Sequence, residues 1–375
     1  MPSGVETTVV SMKAADGPRV PGVLFRVPGS TVVATLMHPR LDLTRHYLTS
    51  ILTGAGISVL AQGTRSVGND LTLVHEQALL DAGAGFAKAC DLGFEHVVAV
   101  GASGGGPLYA FYLQQASRPA AERLSHTPGG QATGLAEADL PLPDGVAFVA
   151  AHPGQGELLL GCIDPAVTDE ADPRATAAEL DLFDTANGFV EPFESSSYAE
   201  EFLAAYRSAQ RARVQRIDDR ARALLAEGVA EVLTVYRTDA DPRNVDLSLD
   251  ASERPYGSVH GSRPHQGNHG IAGFGRLSTP EAWLSTWSGL SSNARFLACA
   301  PEVSVPTLFV EYTGDQACFP SVSAEMYAAI AAPDKTHERV RGTHFGGSIL
   351  ADEPPGGIAA GALIAEWAAA LAAPH

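Results

Sequence analysis

The chain has 375 residues, of which 45% are hydrophobic and 18% are charged, an ordinary composition for a globular protein. Its formal net charge of -18 argues against nucleic acid and against anionic membranes as partners, because both need a basic surface. The four cysteines have no C-x-x-C spacing, the N-terminus lacks the basic and apolar regions of a signal peptide, and no apolar run approaches the roughly 20 residues of a membrane span. These features predict a cytoplasmic protein.

Apolar runs alternate with helical patterns along the first part of the chain, which favours a largely parallel sheet covered by helices on both faces. The pattern predicts strands at 5–14, 19–27, 31–37 and 56–62, a fifth strand that ends near 102, and a sixth strand at 146–151. A helix at 44–54 follows the third strand, and a long helix at 71–92 follows the fourth. A loop rich in proline and glycine at 117–144 precedes the sixth strand.

The fifth strand leads directly into Gly101-Ala102-Ser103-Gly104-Gly105, which has the G-x-S-x-G form of a strand–turn–helix elbow. Such a turn presents a serine at its apex and requires small residues two positions away, and both of those residues are glycine here. The apolar residues 108–112 that follow are typical of the helix after an elbow. The pattern predicts that Ser103 is a nucleophile rather than an ordinary turn serine.

A nucleophilic serine needs a base, and the base needs an acid that orients it. A proline-led apolar strand at 306–312 is followed by Asp315, and no acid stands directly at the end of the sixth strand to compete with it. A last short strand at 336–341 leads into a glycine-rich loop that carries His344, and a helix over 357–372 follows. We therefore expect Ser103, His344 and Asp315 to form a catalytic triad.

The third strand ends in His38-Pro39-Arg40. With this loop, the elbow, and an acid and a histidine in that chain order, the sequence resembles the α/β-hydrolase superfamily, and most closely its esterase-like members, over residues 20–155 and 300–373. The resemblance implies a serine hydrolase without metal or other cofactor. One fold hosts many chemistries, so it does not fix which bond is cut.

The resemblance also implies an oxyanion hole, with one donor in the N–H group after the nucleophile, here that of Gly104, and one from the loop after the third strand. Proline stands where this loop commonly has glycine. Because Pro39 has no N–H group, we expect the backbone N–H of Arg40 to be the second donor.

About 150 residues separate the sixth strand from the strand at 306, far more than a crossover needs. The sequence therefore predicts core segments at 1–154 and 301–375, with a mainly helical lid at 155–300 that includes a long helix near 197–228 and another from 279. The aromatic residues Phe193, Tyr198 and Trp283 are candidates for a substrate-binding wall, and packing within the lid is the alternative.

Five histidines outside the triad need an interpretation. His38 and His152 each end a strand and precede proline, so either they line the substrate pocket or they are satisfied histidines at the rim of the sheet. His265 and His269 have a spacing that suits zinc only on a helix, and the neighbouring glycines argue against a helix there. The sequence also lacks H-E-x-x-H, so we do not expect these two histidines or the nearby His260 to bind a metal.

The leading function hypothesis is hydrolysis of a carboxylic ester or a related acyl compound through an acyl-enzyme. Lactones, thioesters and carbon–carbon bonds are alternatives, because the same triad can act on each of them. A catalytically silent hydrolase-like binding module is the alternative outside enzymes. The expected partner is a small acyl substrate, and the sequence leaves the oligomeric state open, a homo-oligomer included.

Overall fold

A computed structural model describes residues 4–229, 231–270 and 273–373. Its central sheet has eight strands in the spatial order β1-β2-β4-β3-β5-β6-β11-β12. Strands β1 and β2 are antiparallel to their neighbours, and the other six run parallel to one another. The bounds are β1 Glu6–Lys13, β2 Arg19–Arg26, β3 Val32–Met37, β4 Ser58–Gln62, β5 His96–Ala102, β6 Gly145–Val149, β11 Thr307–Gly314 and β12 Lys335–Thr343. The predicted, mostly parallel α/β sheet is confirmed.

Helices cover both faces of this sheet and bury its central strands. On one face, α2 and α3 pack with α9 over aromatic side chains such as Phe148 and Phe309. On the other face, α1 and α10 pack over the aliphatic residues of β3, β5 and β6. Burial on both faces explains why these strands are predominantly apolar in the sequence. The bounds are α1 Tyr47–Gly54, α2 His75–Asp91, α3 Gly105–Ser117, α9 Pro320–Ala329 and α10 Gly356–Leu371.

The long segment between β6 and β11, here called the insertion (residues 155–300), joins two strands that are neighbours in the sheet. It contains its own apolar clusters, one of them between the long helix α5 and the tryptophans Trp283 and Trp287. Its elements are α4 Gln155–Cys162, β7 Val167–Asp169, β8 Asp172–Thr176, α5 Glu200–Glu227, β9 Leu233–Thr234, α6 Pro264–His269, β10 Leu277–Ser278, α7 Pro280–Ala282 with a π-helical turn at Trp283–Trp287, and α8 Phe296–Cys299.

One local prediction is wrong. Residues 264–269 form a short helix, although the glycines there argued against one. Pro264 occupies the first turn, where its fixed φ favours a helix start and its missing N–H group costs nothing. The helix does not create a metal site: within the described ranges, no group of three or more His, Cys, Asp or Glu side chains could hold an ion. No helix of the described residues is long and apolar enough to cross a membrane.

The candidate catalytic residues lie at one edge of the sheet. Residues directly after the parallel strands β3, β5, β11 and β12 are His38, Ser103, Asp315 and His344, and His152 follows β6. Because the carboxyl ends of parallel strands meet at the same edge, five adjacent strands bring these side chains together. The fold therefore assembles one site from segments more than 300 residues apart in the chain.

Candidate active site

Ser103 sits at a tight turn between β5 and α3. Its φ of +53° is in the left-handed region, which residues with a Cβ atom rarely adopt. Its N–H donates to the carbonyl of Val149 at 2.9 Å, and its carbonyl accepts from Gly106 N–H at 3.0 Å. A Cβ atom on Gly101 would lie 2.6 Å from the Gly105 carbonyl oxygen, so the turn is too tight for a side chain there. These contacts hold the serine in a conformation that it would not choose alone.

Ser103, His344 and Asp315 are joined by hydrogen bonds. Nε2 of His344 lies 2.9 Å from Oγ of Ser103, and its Nδ1 lies 2.8 Å from Oδ2 and 3.0 Å from Oδ1 of Asp315. Oδ1 of Asp315 also accepts from the N–H groups of Ala317 at 2.6 Å and Cys318 at 3.0 Å. The carboxylate is thus fixed by its own backbone and directs Nδ1–H toward itself, which leaves Nε2 free to accept the serine proton.

The loop that carries His344 is a closed turn against α1. Thr343 N–H donates to the Gly347 carbonyl at 3.0 Å, and Gly346 N–H donates to the Thr343 carbonyl at 2.8 Å. Gly346 has a φ of +71°, and a Cβ atom there would lie 2.9 Å from the ring of Tyr47. The Tyr47 hydroxyl lies 2.7 Å from that of Tyr312, which ties α1 to β11 beneath the loop.

A small cavity of about 60 Å³ lies beside Ser103 and His344. Most of its wall is apolar, and the loop between β3 and α1 supplies much of it. Leu43 is buried, whereas Leu41 and Phe345 are 47% and 62% exposed at the mouth. The apolar wall residues are Leu41, Leu43, Ala102, Val149, Ala150 and Phe345, and His38, His46 and Tyr47 complete it. Of this wall, the sequence indicated His38 but not Leu41, Leu43 or Phe345, although the positions of these three after β3 and beside His344 were a usable signal.

The two oxyanion donors predicted from the sequence differ in whether their N–H group already has a hydrogen-bond partner. The N–H group of Gly104 has no hydrogen-bond partner among the described residues, as an oxyanion donor requires before substrate binds. The N–H group of Arg40 donates to Nδ1 of His38 at 3.0 Å, so it is already used within its own loop. The Arg40 side chain turns away and donates to Asp70 at 2.8 Å. The prediction for Arg40 is therefore corrected: a local turn consumes this donor.

His38 and His152 are buried beside the triad, and each has a fixed tautomer. Nδ1 of His38 accepts from Arg40 and from Leu41, and Nδ1 of His152 accepts from Gly154 N–H at 3.2 Å. In a neutral ring, the proton then resides on Nε2. Burial, followed by unfavourable interactions with the neighbouring histidine rings and Arg40, holds the pKa of His38 well below 6.5 and lowers the pKa of His152 to about 3. Both rings are therefore neutral donors at neutral pH.

At a third buried histidine, His75, the effect of burial on the histidine pKa can be tested through the pH dependence of folding stability. Its Nδ1 lies 2.9 Å from the Thr286 hydroxyl, which itself donates to the Leu73 carbonyl, and burial lowers the pKa of His75 to about 4. Between pH 6.5 and 4, the unfolded chain binds a proton there that the folded chain does not, so folding stability falls as pH falls.

We expect the His75→Asn variant to lack the part of the fall in folding stability at low pH that His75 causes. The difference in free energy of unfolding between wild type and variant should change by about 1.4 kcal/mol per pH unit between pH 6.5 and 4, and by roughly 3 kcal/mol in total. Denaturant unfolding at several pH values measures it. The difference should be constant above pH 7, where His75 is neutral in both states, and parallel curves below pH 6.5 would contradict the assignment.

The predicted aromatic wall is not found beside Ser103. Trp283 is buried in the insertion and donates from Nε1 to Asp218 at 2.7 Å. Tyr198 is buried and donates to the Leu182 carbonyl at 2.8 Å. Phe193 is 73% exposed and contacts Tyr256. None of the three lines the cavity at the triad, which corrects the prediction: they belong to the packing and surface of the insertion.

Comparison with known proteins identifies the fold. No protein-family model and no curated protein matches the sequence. Among solved structures, the chain is similar to DcsB, determined in complex with a substrate analogue, with a TM-score of 0.57, 12% identity, and coverage of 98% of this chain and 100% of that chain. It is also similar to Est1E from Butyrivibrio proteoclasticus, with a TM-score of 0.50, 10% identity, and coverage of 98% and 99%.

Similarity over the whole length, the sheet order and the serine elbow define the class of the fold. The protein has the α/β-hydrolase fold, as the sequence motifs predicted. At 10–12% identity, this similarity defines the fold alone, and the chemistry must be argued from the site.

Proposed function

We propose that the protein is a serine hydrolase that cleaves carboxylic esters with a short acyl group through an acyl-enzyme. The observation that carries the proposal is the hydrogen-bonded chain from Ser103 Oγ through His344 to Asp315, beside a free N–H group at Gly104. This is the constellation that acyl transfer requires: a nucleophile, a base in the correct tautomer and a donor for the oxyanion.

In the proposed reaction, Oγ of Ser103 attacks the ester carbonyl as Nε2 of His344 takes its proton. The tetrahedral oxyanion lies against Gly104 N–H. His344 then gives its proton to the leaving alcohol, and an acyl-serine remains. Water attacks the acyl-serine by the same route, with His344 again as base, and releases the carboxylic acid. Asp315 stabilises the imidazolium in both halves and keeps its own charge.

The size and polarity of the cavity support a short acyl group. Its volume of about 60 Å³ is well below the 300–1,000 Å³ of sites that enclose drug-sized ligands. Leu43, Val149 and Ala150 give it an apolar wall without a buried charge, which suits a hydrocarbon chain. A larger cavity of about 640 Å³ lies within the insertion near α6 and β10, but its lining includes none of the triad residues.

Two measurements test the proposal. A fluorophosphonate probe should label the protein, and mass spectrometry of the digest should locate the label on Ser103. A panel of p-nitrophenyl esters from acetyl to decanoyl, with matched thioesters and lactones, should give the highest kcat/KM with a short acyl ester. A protein that is neither labelled nor active on any of the substrates would instead support the silent binding module.

The acyl preference should depend on Leu43. We expect Leu43→Ala to raise the ratio of kcat/KM for hexanoyl over acetyl ester at least about tenfold, because each methylene accommodated in an apolar pocket is worth about 10-fold or more. Leu43→Phe should lower the same ratio. Leu277→Ala, at a residue 54% exposed on the insertion, is the matched control and should not move it. Unchanged ratios in both Leu43 variants would place the acyl chain elsewhere.

A further inference from the structure

Two imidazole N–H groups beside the candidate triad have no hydrogen-bond partner among the residues that the structure describes. Nε2 of His38 and Nε2 of His152 make no hydrogen bond to any described residue. The two side chains are only 3% and 2% exposed, yet neither Nε2 atom is among the fully buried side-chain atoms that lack a hydrogen-bond partner. Each N–H group therefore still reaches open space, where an oxygen atom of a substrate has access to it.

Both donors face the residue after the serine. A Cβ atom built on Gly104 would lie 2.8 Å from Nε2 of His38 and 3.2 Å from Nε2 of His152. The amide nitrogen of Gln155 would be closer still. The side-chain nitrogens therefore pack over the backbone of Gly104, whose own N–H is free. Only a glycine leaves room for this arrangement, and His38 also lines the cavity that contains Ser103 and His344.

The rings cannot easily turn away from this point. His38 is held through Nδ1 by the N–H groups of Arg40 and Leu41, at 3.0 and 3.1 Å. His152 is held through Nδ1 by Gly154. The backbone of two loops thus selects the Nε2–H tautomer of each ring and orients it before any substrate is present. Preorganised donors of this kind stabilise a developing negative charge without reorganisation during the reaction.

We propose that the Nε2–H groups of His38 and His152 complete the oxyanion hole together with the N–H group of Gly104. This inference rests on the proposed serine-hydrolase function. The sequence predicted that the N–H group of Arg40 would donate to the oxyanion itself. In this proposal it donates to Nδ1 of His38 instead and so fixes the tautomer that places a proton on Nε2. Three donors from the loops after β3, β5 and β6 then surround one oxygen atom.

Variants at His38 separate a donor from a merely structural ring. We expect His38→Met, which keeps bulk but has no N–H group, to lower kcat about 100-fold or more with little change in KM, as the loss of an oxyanion donor does. His38→Gln places an amide N–H near the position of Nε2 and should recover at least about tenfold of that loss. His152→Met and His152→Gln should behave in the same order. His126→Met, at an exposed histidine, is the matched control.

A second readout is the binding of ligands that form a tetrahedral adduct with Ser103. In ¹⁵N-edited NMR spectra, the Nε2–H protons of His38 and His152 should shift downfield when a phosphonate is bound to Ser103, because the phosphoryl oxygen becomes their acceptor. Affinity for a boronic acid, which forms a tetrahedral adduct, should fall in the Met variants in proportion to kcat/KM. A ring that only supports packing would move neither quantity in this way.

The outcomes distinguish the two proposals. An active wild type whose His38→Met and His152→Met variants keep kcat within threefold, with no shift of the Nε2–H signals on phosphonylation, overturns the histidine donors and leaves the serine hydrolase intact. A wild type that neither reacts with the phosphonate nor hydrolyses any ester overturns both. Loss of kcat in the Met variants with recovery in the Gln variants supports the donors.

Discussion

Replacement of Ser103 by alanine should reduce ester turnover by at least about 10⁴-fold and abolish labelling by a fluorophosphonate, while the protein remains folded. The expectation follows from the 2.9 Å contact between its Oγ and Nε2 of His344; among the described residues, no other hydroxyl or thiol group hydrogen-bonds to that nitrogen. Initial rates with a short acyl ester, together with the circular dichroism spectrum, measure both parts. Turnover within tenfold of wild type would show that another group performs the attack.

A second variant at the same position, Ser103→Gly, separates catalysis from backbone strain. It should be as inactive as Ser103→Ala, because neither has the hydroxyl group. The φ of +53° strains any residue with a Cβ atom, so the glycine variant should be more stable than the alanine variant by roughly 1 kcal/mol. Equal stability of the two variants would mean that the elbow does not hold the serine in this conformation in solution.

The elements around the sheet could be predicted because their residues have few alternatives. Strands β3, β5 and β6 are buried on both faces over nearly their whole length, so each is a predominantly apolar run between polar segments. The elbow could be predicted because its tight turn tolerates only glycine at Gly101 and Gly105, where a Cβ atom would overlap backbone atoms. Asp315 and His344 directly follow strands, and the order of the strands in the parallel sheet is enough to place them near Ser103.

The proposed donor at Nε2 of His38 could not be predicted from the pattern, because it depends on one local hydrogen bond. Chain order places Arg40 where a backbone donor is expected, yet the same N–H group is within reach of Nδ1 of His38 two residues earlier. A histidine that precedes proline either accepts this bond or points elsewhere, and the sequence does not distinguish the two. The tautomer and the exposed donor at Nε2 follow only once that bond is known.

The insertion was the least predictable part for a different reason. Its aromatic residues can pack against one another or against a substrate, and composition is the same in both cases. Trp283 packs inside because Asp218 of α5 accepts its N–H group in a buried position, and such a pairing joins residues 65 positions apart. The cavity wall comes instead from short loops of the core, where Leu43 and Phe345 follow strands β3 and β12.

Substitution Asp315→Asn tests the orientation of His344 and should lower kcat by about 10³- to 10⁴-fold. The amide oxygen can still accept from Ala317 and Cys318, as Oδ1 does now, so the loop should keep its shape. The amide nitrogen then faces Nδ1 of His344 and donates to it, which moves the ring proton to Nε2. Nε2 can then no longer take the proton of Ser103, so the triad keeps its geometry but has the wrong tautomer.

Glu157→Gln is the matched control, since Glu157 is a partly buried acid of the insertion outside the triad, and it should change kcat less than threefold. An Asp315→Asn variant that is as active as this control would show that another group orients the imidazole.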